Sequence, residues 1–180
     1  MTKLQKTIGN ISNDKSSGAI FARMCSWRFY VDYLIHFVCS NSRHGTHSPF
    51  VYGLVDKVFY GKRQPGEPRD KVERLIARLI SRFQPSAVYT LGDPLPQQLD
   101  FVVVKGGDPE WIKCQLDEIL PNLNQHSVIV FKDIYRSSGM KRLWREAKEE
   151  PAVTVTIDLF YAGLIFFHSG QARENFRIRF

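Results

Sequence analysis

The most regular pattern of apolar and polar positions in the chain lies between Asp70 and Phe83. Val72, Leu75, Ile76, Leu79, Ile80 and Phe83 recur at i, i+3, i+4, i+7, i+8 and i+11. That spacing puts them on one side of an α-helix, so the stretch predicts a helix laid on a core. Lys71, Arg74, Arg78 and Arg82 line a flank away from the apolar side. Upstream, Cys25 to Cys39 also reads as helical, but with the proportions reversed. Arg28, Asp32 and His36 form one narrow polar stripe, while Trp27, Phe29, Tyr30, Val31, Leu34, Ile35, Phe37 and Val38 cover the remainder. A surface helix needs only one apolar face. This one is therefore expected to be clamped between other elements or against a second subunit.

Between these two helices lies RHGTHSPF, residues 43–50. Ser48 followed by Pro49 is a helix start, the hydroxyl being suited to accept from free backbone N–H groups and proline to the first turn. A helix is expected from Pro49 to about Tyr60, then a loop through GKRQPGEP. His44 and His47 have no nearby acid or cysteine to complete a metal site, so they read as turn and packing residues.

After Pro85 the pattern changes to short apolar runs. Ala87–Leu91, Asp100–Val104, Ser127–Phe131, Val153–Leu159 and Gly163–Phe167 read as strands, the last two as a hairpin. DFVVV and SVIVF are too continuous for strands with a wet face. Asp108–Leu120 and Ser138–Glu149 read as helices, and the closing NFRIRF as an edge strand. Helices alternating with buried strands indicate an α/β sheet covered by helices. The chain divides into a polar segment over 1–18, expected to be a loose tail, a helical region over 19–83, and an α/β domain over 84–180.

Charge and cysteine usage narrow the function classes. Residues 1–82 carry 14 Lys and Arg against 6 Asp and Glu, whereas residues 83–180 carry 11 against 12. A basic front half suits nucleic acid or an acidic protein, and Lys71, Arg74, Arg78 and Arg82 are the candidate anion-binding surface; a merely solvated face is the plainer alternative. Cys25, Cys39 and Cys114 are odd in number and lack metal-ligand spacing, which fits a reducing, cytoplasmic setting. The apolar segment from Ala19 to Cys39 is interrupted by Arg23, Arg28, Asp32 and His36, so no membrane-spanning helix is expected.

HGTHSPFVYGLV at residues 44–55, SVIVFKDIY at 127–135, and VTVTIDLFYAGLIFF ending in FRIRF resemble a bacterial family of class I S-adenosylmethionine-dependent methyltransferases. The likeness covers most of residues 20–180. It implies a truncated Rossmann-like methyltransferase sheet covered by helices, with an N-terminal helical extension and a C-terminal antiparallel hairpin. It also implies S-adenosylmethionine as cofactor if the protein is active, with Gly92 and Asp93 as remnants of the cofactor turn and Asp133 near the acceptor.

The middle of the chain departs from that family. Its glycine-rich turn, roughly E-L-G-T-S-x-G, corresponds here to Tyr89-Thr90-Leu91-Gly92-Asp93-Pro94-Leu95-Pro96. Proline removes N–H donors and fixes φ, which makes a poor cradle. No second strand with a ribose-binding acid follows. Only seven residues separate Gly92 from Asp100, fewer than the dozen or more of an ordinary parallel crossover. Ala87–Leu91 and Asp100–Val104 are therefore expected either to pair antiparallel or not to share a sheet. Where metal-dependent relatives carry acids, this chain has Lys105 and Lys132, so no metal is expected. The residues point to a methyltransferase relative with weak or no methyl transfer. The alternative is a non-catalytic protein that binds nucleic acid or an acidic partner through its basic helix, or self-associates through its apolar one.

Overall fold

The computed structural model describes residues 27–41, 48–168, 170 and 172–180. His44 and His47 fall outside the described residues, as do residues 1–18 and Cys25.

Six strands form one sheet: β1 (Val88–Thr90), β2 (Phe101–Val104), β3 (Val128–Lys132), β4 (Val155–Asp158), β5 (Ala162–Phe166) and β6 (Glu174–Arg177). Their spatial order is β1-β2-β3-β5-β4-β6. β1, β2 and β3 are parallel neighbours, β5 runs antiparallel to both β3 and β4, and β6 lies parallel to β4. Five strands thus run one way and β5 alone runs the other. The architecture is α/β with a mostly parallel sheet, and NFRIRF supplies its edge.

Among the described residues five α-helices accompany the sheet. α1 spans Trp27–Cys39, α2 Pro49–Leu54, α3 Lys71–Phe83, α4 Pro109–Ile119 and α5 Ser138–Glu149. α2 continues into a wider π-helical turn, Val55–Phe59. α3 starts where Asp70 accepts the amides of Val72 and Glu73 (both 2.9 Å), and Asp108 and Ser137 cap α4 and α5 in the same way. Ser48 departs from this pattern. Its hydroxyl accepts no amide at the start of α2, and the backbone carbonyl alone receives the amide of Tyr52 (2.8 Å). Ser48 is buried, and the proline after it has no N–H to offer.

Alternation along the strands divides the core in two. Phe101, Val103, Val128, Val130, Val155, Ile157 and Leu164 face α2, the π turn and α3. Val102, Val104, Ile129, Phe131 and Ile165 face α4 and α5. Both faces are covered, which is why the strands read as unbroken apolar runs.

β1 and β2 are parallel neighbours in register, Val88 opposite Phe101 and Thr90 opposite Val103, contrary to the sequence expectation. The minimum crossover length applies to connections that carry a helix, and residues 91–100 contain none. A three-residue strand needs a return of only about 10 Å, whereas ten extended residues reach roughly 33 Å. Pro94 and Pro96 favour that extended course. Asp100 fixes the start of β1, its carboxylate accepting the Ser86 amide (3.1 Å) and hydroxyl.

α1 also differs from expectation, in the sense of its burial. Two members of its polar stripe face the body, His36 being 3% exposed and Asp32 paired with Lys141 of α5 (2.7 Å), while Arg28 is exposed. Among the described residues, Trp27, Tyr30, Leu34, Ile35 and Val38 are exposed. Burial of a polar stripe is tolerable where every group finds a charged or hydrogen-bonding partner, and here the partners lie at one end of the sheet.

Candidate functional site

The five co-directional strands end at Thr90, Val104, Lys132, Asp158 and Arg177 on one edge of the sheet. In open α/β sheets, ligands bind outside such carboxyl ends, in the crevice where the strand order reverses. That edge carries the residues singled out from sequence, Gly92, Asp93, Lys105 and Asp133.

Gly92 has φ +92 and lies third in a turn closed by the Asp93 amide on the Thr90 carbonyl (3.0 Å). Such a φ suits glycine, which has no Cβ to clash. The indole of Trp111 packs over the turn, with two ring carbons 3.4 and 3.5 Å from where a Cβ at Gly92 would stand. The Asp93 amide is spent inside the turn, and Pro94 and Pro96 have none. The turn therefore presents an aromatic lid and no row of free N–H donors.

Asp133 follows β3 with φ +56, its amide donating to the Tyr161 carbonyl (2.8 Å). Burial pushes its carboxyl above the ordinary range, while Arg136 and Lys132 pull the other way. Arg136 stands 3.7 Å from it. Lys132 is turned to Glu73 of α3 at 2.5 Å, which ties the sheet edge to that helix. Lys105 is exposed. Among the described residues, no group of three or more His, Cys, Asp or Glu side chains could hold a metal ion.

The basic flank of α3 is largely committed to the chain itself. Arg78 grips Glu67 with both ends of its guanidinium (2.7 and 2.8 Å) and donates to the carbonyls of Val58, Gly61 and Lys62. The Arg78 guanidinium holds Glu67 down to about 2. Arg74 donates to the carbonyls of Pro68 and Arg69. Lys71 lies 4.2 Å over the ring of Phe180, and burial lowers its pKa. Through Arg74 and Arg78 the helix is thus a clamp for the 61–68 loop, while Lys71 packs on Phe180 and Arg82 is exposed near the helix end.

A polar cluster that the sequence reading did not single out sits at the end of β4. Asp158 Oδ1 receives His36 Nε2 (3.0 Å) and the Phe160 amide (3.0 Å), and Oδ2 receives the Tyr135 hydroxyl (2.8 Å). Burial pushes the Asp158 carboxyl up, but these three donors outweigh it and hold it below the ordinary range. Burial, reinforced by the Asp158 charge, raises the Tyr135 hydroxyl. Phe160, with φ +67, stacks on Tyr135 (centroids 4.7 Å, planes 14° apart). It meets Phe29, Tyr33 and His36 of α1 edge-on. The signal in the sequence was an acid inside the apolar run VTVTIDLF, which cannot be buried without donors. All of its groups satisfy one another, so the cluster is a pin that fastens α1 to the sheet.

On the opposite face of the sheet, a cleft of about 720 Å³ lies between α4 and α5. Ile129, Phe131, Ile165 and Phe167 form its floor, and charged residues of both signs, Lys113 and Arg145 against Asp117 and Glu149 among them, form its rim. No family model, curated protein or solved structure matches the chain.

Proposed function

We propose that this chain is a relative of the class I S-adenosylmethionine-dependent methyltransferases that has lost its cofactor-binding half and acts as a non-catalytic binding protein. The observation that carries the reading is the direction of the strand order. From β1 the parallel strands advance towards one edge only, β1 to β2 to β3. Among the described residues no strand lies beyond β1, so the order of the parallel strands does not reverse there and no switch-point crevice forms. The carboxylate that would bind ribose hydroxyls in such a fold belongs on a strand outside β1, and among the described residues no strand stands there.

Two further features agree. β5 is antiparallel to its neighbours, the sense expected of the last methyltransferase strand. The turn at Gly92 is capped by Trp111 and followed by two prolines, which removes the close backbone approach a cofactor requires. Catalysis of methyl transfer rests mainly on holding donor and acceptor in line, and no described residue at this edge supplies that hold.

Titration calorimetry with S-adenosylmethionine and S-adenosylhomocysteine tests the proposal. No heat is expected at millimolar ligand from a folded sample. Micromolar binding, about −8 kcal/mol, that is abolished in Gly92→Ala would overturn it and restore an enzyme.

A further inference from the structure

The outward side of α1 is the least accounted-for surface of the molecule. Trp27 is 70% exposed, Leu34 60% and Val38 77%, with Tyr30, Val31 and Ile35 beside them. At about 150–250 Å² for an exposed aromatic side chain and somewhat less for an aliphatic one, these six leave roughly 700 Å² of side-chain surface open. A typical monomer's largest apolar patch is about 300–600 Å². Each partner in a standard interface contributes about 800 Å².

The spacing of the patch identifies what fits it. Trp27, Val31, Leu34 and Val38 are separated by four, three and four residues, the seam of a two-helix coil. Val31 and Val38 fall at the positions where β-branched residues favour two strands, and Leu34 at the position where leucine does. The residues flanking the seam are Arg28, Tyr30, Ile35 and Phe37, so an identical helix would meet only one cation and no anion along each edge. A lipid surface fits less well. A helix lying on a membrane shows its charged side to the headgroups, and here Asp32 and His36 of that side are turned into the protein, on Lys141 and Asp158, leaving Arg28 of the three exposed. Among the described residues no helix is long and apolar enough to cross a membrane.

We propose that the outward face of α1 is an isologous dimer interface, seated on the same face of a second copy of this chain. The inverted burial of the helix then has a physical purpose. His36 is pinned to Asp158 of the sheet and Asp32 to Lys141 of α5, which fixes the helix in advance and orients the apolar seam outward. A pre-ordered helix avoids most of the ordering cost of association. This inference does not depend on the loss of cofactor binding.

Sedimentation equilibrium of the full chain at about 100 μM, a concentration well above a micromolar dissociation constant, tests it together with Leu34→Asp and Val38→Asp. Both positions are exposed, so these variants should keep the wild-type circular dichroism spectrum and melting behaviour. The wild type is expected to sediment as a dimer and each variant as a monomer, with at least a tenfold weaker association. A dimer that survives both substitutions would overturn the proposal by placing the interface elsewhere. A monomeric wild type would also overturn it. In that case, flotation with phosphatidylserine-containing vesicles would assign the face to a lipid surface. Failure to float, with dimerisation appearing once residues 1–26 are deleted, would assign it to the chain's own N-terminal segment.

Discussion

Two aspartates at the same edge of the sheet have opposite electrostatic fates, and the difference follows from their donors. Asp158 accepts from His36, Tyr135 and the Phe160 amide, so its ionised form is favoured in the folded state. A lowered pKa contributes stability that is full above the ordinary carboxylate value and is lost as pH falls through the folded one. Asp158→Ala is therefore expected to cost about 3 kcal/mol at pH 7, as for one member of a buried pair removed, and much less near pH 2; urea unfolding at the two pH values measures it. Asp133 is the reverse case. Burial dominates and raises its pKa, so the charge is a cost that grows as pH rises through the folded value. Asparagine is well suited to the left-handed backbone there. Asp133→Asn is expected to stabilise the fold at pH 7 by less than about 1 kcal/mol, with the gain vanishing towards pH 3. A loss of stability at neutral pH would mean that Arg136, 3.7 Å away, stabilises the carboxylate by more than burial penalises it.

At the scale of elements, the sequence was legible wherever one periodicity settled the matter. Val72 to Phe83 declared α3, and Asp70, Asp108 and Ser137 supplied its cap and those of α4 and α5. β2 and β3 were readable because both faces are apolar. What could not be read was which side of α1 turns inward, because an apolar majority argues for burial until Asp158, 122 residues from His36, is known to wait for it. The parallel pairing of β1 and β2 was hidden for a similar reason. A length rule drawn from helical crossovers does not cover a strand as short as Val88–Thr90. A close contact between elements gives a further check. A Cβ added at Gly163 of β5 would stand 2.7 Å from two ring carbons of Trp144, which is buried and packed on Phe131 of β3. Gly163→Ala is expected to lower stability by about 2 kcal/mol through overpacking, read as a reduced urea midpoint with unchanged slope.

For the whole molecule, the consequential fact is that the sheet begins at its edge. Among the described residues the parallel strands advance one way from β1, and Gly92, Lys105 and Asp133 lie along the rim at their carboxyl ends. These three residues follow the carboxyl ends of β1, β2 and β3, and under the proposed reading the site they would serve needs a neighbouring strand on the far side of β1. What the molecule does present is surface: the outward seam of α1 at one end and the cleft between α4 and α5 on one face. The measurement that tests this most directly is a titration of the isotopically labelled protein with S-adenosylhomocysteine, followed by amide chemical shifts at residue resolution. The account expects the amides of Gly92, Asp93, Lys105 to Gly107 and Asp133 to stay in place at millimolar ligand. A saturable shift confined to those amides would contradict it, and would mean that the edge of this sheet still holds a cofactor.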